Sequence, residues 1–391
     1  MDASSSSSSA SSSALQDDAL MEGCQDDTEY VLSLSVHPDE SVAVAAWSDL
    51  ELRLYDLSRG LSSESTLSLK GHTERITGAS FGDLASDKAS VFSCAEDGQV
   101  LAWDARSGGV AQRFSTAAQG KKRRAPPAGC LAVGCDSMLV AVGTDEEQES
   151  RVLFFDRRST KQLGAYTESH VDSVSQLCFN PVRKTQVASG SMDGLVCYFD
   201  VAKPDEDTAL LSVLNVGSAV ARIGFFGPSY ECLFSLTHCE TLTLYHADKA
   251  LTMAAFPGIR ETLSKMGAPS DYLVDCCYLQ GSASSKSQSL ILVSGDHQGR
   301  LHLSDVTLGG INRLCSVADT FGHSADVRAV TLFGRDPDSG VPARMLTGGE
   351  DGSLCDWRHA ASEAEAASVG SKASSKATRK GAKARAQHAP I

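Results

Sequence analysis

One arrangement of residue types recurs along the chain at fixed offsets, and it limits the possible folds more than any other feature. In its clearest copy, Gly71-His72 leads into ITGASF, VFSCAEDGQ and VLAWD, ending at Asp104. Ser93 stands four residues before Asp97, and Trp103 six after it. A second copy runs from Gly322-His323 through VRAVTLF, MLTGGEDGS and LCDW, and keeps the same intervals at Thr347, Asp351 and Trp357. A third runs from Ser169-His170 through VSQLCF, VASGSMDG and LVCYFD, with the intervals kept at Ser189, Asp193 and Phe199, Phe replacing Trp. Each copy is a set of short apolar, β-branched runs broken by turn residues, and helical periodicity is nearly absent between Tyr30 and Trp357.

Weaker copies fill the gaps. Residues 30–56 contain VLSLSVHP, VAVAAW and LELRLYD, with Asp49 six before Tyr55. Residues 130–156, 218–246 and 271–305 repeat the pattern of strands with less of the polar signature. The positions matching the Trp are Tyr55, Trp103, Phe155, Phe199, Tyr245, Ser304 and Trp357, which makes seven units. Gly-His leading to Trp-Asp is the signature of a WD repeat. The expected fold is therefore all-β, a seven-bladed WD-repeat β-propeller. One four-stranded blade cannot bury both of its faces, whereas a ring of blades packs sheet on sheet and leaves only short edges.

The polar residues have a structural reading. Asp97, Asp193 and Asp351 each fall in a tight turn, where a carboxylate can accept backbone N–H bonds and orient the preceding His72, His170 or His323. The histidine bonds Ser93, Ser189 or Thr347, and that hydroxyl reaches the indole of Trp103 or Trp357 where there is one. His, Ser and Asp are also the residue types of a hydrolase triad. A unique active site does not recur in several blades, so the network is read as structural. No GxSxG elbow, HExxH pair or phosphate-binding loop occurs. No catalytic, metal-binding or cofactor-binding residue is assigned, and the chain is read as not an enzyme.

The longer stretches resemble one family within this class, that of WD repeat-containing protein 89. The resemblance is carried by SHVDSVSQLCFNPVRKTQVASGSMDGLVCYFDV, then VARIGFF, LFSLTHCETLTLYH, an insert with IRETL and DYLVDCCY, GDHQGRLHL, and the last unit followed by a basic tail. It covers Tyr30 to Trp357 and is weaker in the first three repeats. It implies a propeller that acts as an intracellular assembly factor, and it supplies no catalytic residues.

The rest of the sequence sets limits on setting and partners. No run reaches the roughly 18 apolar residues of a membrane span. The opening Met-Asp-Ala-Ser is not a basic region followed by an apolar one, so no secretory signal is expected. Twelve scattered cysteines without a CxxC pair read as free thiols packed as small hydrophobes in a reducing compartment. Residues 1–28, Ser-rich and then acidic, are expected to be disordered, with some part of 14–28 able to complete the last blade. Residues 29–358 form the propeller, and 359–391 a flexible basic tail. A short helix is expected at Arg260 to Met266 in the insert.

Two surface features carry functional readings. Lys121-Lys122-Arg123-Arg124 is a compact basic cluster beside Pro126-Pro127, and reads either as a solvated loop or as a nuclear import signal. Two units end Trp103-Asp104-Ala105-Arg106 and Phe155-Asp156-Arg157-Arg158. These endings resemble the Trp-Asp-x-Arg ending of WD-repeat substrate receptors of cullin-RING ubiquitin ligases, which makes Arg106 and Arg158 candidate adaptor contacts. The plainer reading pairs each Arg with its neighbouring Asp.

The leading function is a non-catalytic protein-interaction scaffold, an assembly or adaptor component of an intracellular complex in the nucleus or cytoplasm. Its partners are other proteins, with no membrane and no specific nucleic acid, and the propeller is read as monomeric within its complex. Loops near 117–128, 257–272, 280–289 and 335–343 are the expected contact regions. A ubiquitin-ligase substrate receptor is the alternative, and an enzyme with its site in the central channel a third reading.

Overall fold

The computed structural model describes residues 16–17, 22–23, 29–61, 66–82, 87, 89–117, 124–146, 149–279, 289–317, 322–335 and 342–358. They form seven antiparallel sheets arranged as the blades of a propeller. Blades one to six occupy residues 31–70, 76–115, 128–166, 174–215, 220–256 and 272–317, each with four strands in sequence order from the axis outward. Blade seven takes its three inner strands from Val327–Arg335, Pro342–Gly349 and Ser353–Arg358. Its outer position is filled from the other end of the chain: Gln16–Asp17 and Glu22–Gly23 both pair antiparallel with Ser353–Arg358.

The seven positions that match the tryptophan share one register. Tyr55, Trp103, Phe155, Phe199, Tyr245, Ser304 and Trp357 lie opposite Ala43, Val91, Val140, Val187, Leu233, Leu292 and Met345 of the neighbouring second strand. The repeat is thus a geometric unit even where its signature residues are lost.

The core is not inside the blades but between them. In the second strand of blade one, VAVAAW, Ala43, Ala45 and Trp47 join the cluster shared with blade seven, and Val44 and Ala46 the cluster shared with blade two. Successive strand residues point to opposite faces, so a strand buried on both sides is apolar throughout. The same division gives seven buried layers, one for each pair of neighbours. Adjacent Cys276 and Cys277 go to different layers for this reason, Cys276 towards blade five and Cys277 towards blade seven. All cysteines among the described residues are free thiols, and Cys239 is exposed.

Small residues set how closely the blades approach. The first strands of blades one, four and five carry Val31, Val174 and Val220, and each faces a glycine in the second strand of the preceding blade: Gly348, Gly143 and Gly190. A methyl group on Gly348 or Gly143 would lie 2.7 Å from the Cβ of the facing valine, and one on Gly190 2.8 Å from a Cγ of Val220. Inner strands touch around the whole circle, blade seven against blade one included. On the outside of that last junction, Arg344 donates two 2.7 Å bonds to Asp356 and one of 3.3 Å to the carbonyl of Leu57 in blade one.

Departures from the repeat are local. The helix of the insert is Ile259–Lys265, and its Ile259 and Leu263 are buried in the layer between blades five and six. In blade four a one-turn helix, Glu206–Ala209, precedes the outer strand. The Glu206 carboxylate accepts backbone N–H bonds from Thr167, Glu168 and Ser169 at 2.7, 3.0 and 2.9 Å, and the Ser169 hydroxyl at 2.5 Å. This clasp holds the connector into blade four where blade two has Gly71. Glu206→Ala is expected to cost about 2 kcal/mol, because four donors lose a charged acceptor. Urea unfolding would measure the cost, and faster hydrogen exchange at residues 167–169 would place it; Glu206→Gln should lose less.

Candidate interaction surfaces

Antiparallel strand order defines two faces. The upper face carries the connectors into each first strand and the turns between second and third strands; the lower face carries the remaining turns.

The recurring polar residues meet at the upper face. In blade two, His72 bonds Asp97 through Nδ1 at 3.1 Å and Ser93 through Nε2 at 2.7 Å, and the Trp103 indole donates to Ser93 at 2.8 Å. Asp97 also accepts the N–H groups of Thr73 and Gln99 at 3.1 and 2.9 Å. His323, Thr347, Asp351 and Trp357 repeat this in blade seven, with His323 Nδ1 3.1 Å from Asp351, Nε2 2.8 Å from Thr347 and the indole 2.8 Å from the same hydroxyl. In blade four His170 bonds Asp193 at 3.1 Å and Ser189 at 2.7 Å, and Phe199 brings no donor. Ser93, Ser189 and Thr347 are wholly buried, so no substrate carbonyl can reach them. Blade six, with Ser304 in the aromatic place, has a 2.8 Å bond between Ser270 and Ser294 and a 3.1 Å bond from the His297 N–H to Asp271.

The two complete networks differ electrostatically. Burial alone would push the His323 imidazole down, but the hydrogen bond to Asp351 prevails and raises it to about 9. Desolvation would push Asp351 up, yet the bonds from His323 and two backbone N–H groups hold it below the usual carboxylate range. In blade two burial wins, and His72 lies below its ordinary value despite Asp97. The signs therefore oppose. The His323 contribution is whole below its ordinary value of 6.5 and is lost as pH rises towards 9, a change of about 3 kcal/mol. The His72 contribution is whole above 6.5 and is lost as pH falls through its depressed folded value. Urea midpoints should fall on both sides of neutrality; His323→Gln should flatten the alkaline limb and His72→Gln the acid one.

Inner strands line a central channel, with a cavity of about 340 Å³ bordered by Thr77, Gln176, Arg222, Asp275 and Arg328 among others. Several of its polar groups are engaged. Thr77 donates to the Ala128 carbonyl, Gln176 accepts the Ile223 N–H, and Arg222 lies 3.8 Å from Asp275. Burial lifts the Asp275 carboxyl above the usual range, with Arg222 pulling the other way.

Arg106 and Arg158 occupy equivalent lower-face turns of consecutive blades, with side chains 80% and 76% exposed. Each is folded back onto its own aspartate, Arg106 Nε 3.1 Å from Asp104 and Arg158 Nε 3.2 Å from Asp156. Arg157 points inward instead, reaching Asp87 of blade two at 3.2 Å. Of the basic cluster, Lys121, Lys122 and Arg123 lie outside the described residues, as do much of the 280–289 and 335–343 loops. Arg124 lies on the upper face and pairs with Glu74.

A family model, WD domain, G-beta repeat, matches residues 63–104 and 161–200, which include the network residues of blades two and four. The chain carries WD repeats. Over most of its length it is similar to two relatives. It is 27% identical to the WD repeat-containing protein 89 homolog of Dictyostelium discoideum, covering 85% of this chain and 83% of that one. It is 28% identical to WD repeat-containing protein GTS1 of Arabidopsis thaliana, covering 85% and 81%. Its fold is similar to a chain of the crystal structure of a mitotic checkpoint complex, with a TM-score of 0.64 and 16% identity over 92% of this chain and 96% of that one. No helix among the described residues is long and apolar enough to cross a membrane.

Proposed function

We propose that the propeller is a non-catalytic platform for other proteins, an assembly or adaptor component of an intracellular complex. The observation that carries this reading is the use made of the polar residues. Each His–hydroxyl–Asp set is spent on holding a connector to a turn, which leaves the surfaces of the scaffold for contacts with partners. Proximity labelling in cells with the full chain tests it. A reproducible set of neighbours belonging to one complex is expected; labelling no different from a free labelling enzyme would end the reading. Deleting Lys121 to Arg124 from a fluorescent fusion tests nuclear import by that cluster, and an unchanged distribution would remove it.

The ligase-receptor alternative has one supporting feature, the two exposed arginines at matching positions on one face. Arg106→Ala with Arg158→Ala should then abolish co-purification of the adaptor and leave the melting temperature unchanged. No co-purification with the unaltered chain would dismiss it.

A further inference from the structure

We propose that the upper face over blades three and four docks a short basic segment of a partner protein, its Lys or Arg held between Asp145 and Asp172 and an apolar neighbour lying on Val171 and Met192. The inference rests on the platform reading and adds a place and a chemistry to it.

The apolar part is unusual for its position. Val171 is 69% and Met192 39% exposed. The other large apolar side chains left exposed among the described residues lie on outer strands or on lower-face turns. Val171 and Met192 belong to two segments stitched together: the Val171 N–H bonds Asp193 at 3.1 Å and the Met192 N–H bonds the Ser173 carbonyl at 2.9 Å. The buried network of blade four thus fixes both residues, and an anchor that is already ordered loses little freedom on binding.

The charge is complementary to a base. A cavity of about 600 Å³ opens beside Met192, and Asp145 and Asp172 both line it. Elsewhere on this face several acids are paired: Glu74 with Arg124, Glu96 with Arg75, Asp326 with His297, Glu350 with Arg328. Asp145 and Asp172 have no cation among the described residues. Serines at 173 and 175 complete the floor and offer hydrogen bonds to a guanidinium or ammonium group. The net charge of -14 would draw a basic partner from a distance. An exposed apolar pair beside two uncompensated carboxylates fits a segment in which basic and apolar residues alternate, and repels acidic peptide and nucleic acid.

The test uses the full chain and a random dodecamer peptide display library. Selection on the unaltered protein, with counter-selection on D145N/D172N/V171S/M192S, should enrich peptides carrying Lys or Arg next to Leu, Ile, Val or Phe. The consensus peptide, fluorescently labelled, should bind at least tenfold more weakly to D145N/D172N and to V171S/M192S, and equally well to R106A/R158A. All four positions face solvent at least in part, and unchanged melting temperatures would verify that the variants fold. Enrichment that ignores the four residues, an acidic consensus, no enrichment, or a dimer of this chain that the variants abolish would each overturn the proposal. If the site fails while proximity labelling still returns a complex, the platform reading stands; if labelling also fails, both fall.

Discussion

Leucine in place of Gly348 is expected to leave no stably folded ring. The glycine lies where blade seven meets blade one, with the Cβ of Val31 only 2.7 Å from where its own side chain would begin. A valine Cβ is fixed to the backbone, so it cannot turn away as a long side chain could; the blades themselves must separate. Even Gly348→Ala should cost about 1–3 kcal/mol and lower the melting temperature by roughly 5 °C. The decisive comparison is with Val31→Gly, which removes that Cβ and leaves a cavity. Combined with Gly348→Ala it should be less damaging than the sum of the two, since each relieves the other. Strict additivity by thermal or urea unfolding would show that the contact does not set the closure distance.

The second large effect is expected from Asp351→Ala. That carboxylate holds His323 at 3.1 Å and the N–H groups of Ser324 and Ser353 at 2.7 and 3.0 Å. Its loss takes away the bond that keeps the buried imidazole charged at neutral pH and strands two backbone donors, at about 3–5 kcal/mol. Asp97→Ala in blade two should cost less, because burial keeps His72 neutral and no charge is orphaned. Paired urea titrations at pH 7 measure the difference. At pH 10, where His323 too is neutral, the two losses should draw together.

Much of the ring was legible in the sequence because its parts are periodic. Trp103 and Trp357 announced their strands, and counting outward from them located Tyr55, Phe155, Tyr245 and even Ser304 at the same register. What stayed hidden depends on pairs far apart in the chain. Nothing local distinguishes Gly348 as the seat of Val31, or Glu206 as the acceptor for three amides some forty residues earlier. The acidic stretch near residue 20 has no strand character, and only its pairing with Ser353–Arg358 assigns two of its segments to blade seven. The surface of Val171, Met192, Asp145 and Asp172 was equally invisible. It comes from two blades, and nothing in either stretch says that its neighbours will be left without a cation.

Because every buried layer belongs to two neighbours, there is no point at which the molecule could be divided into parts that stand alone. During synthesis the earliest strands must wait for the latest ones, with Val31 and Trp47 wet until Leu346 and Leu354 have left the ribosome. A nascent chain in that condition invites aggregation and calls for chaperones. A premature stop codon ahead of the last strand, Ser353–Arg358, would therefore be expected to yield not a smaller platform but a chain unable to close its ring.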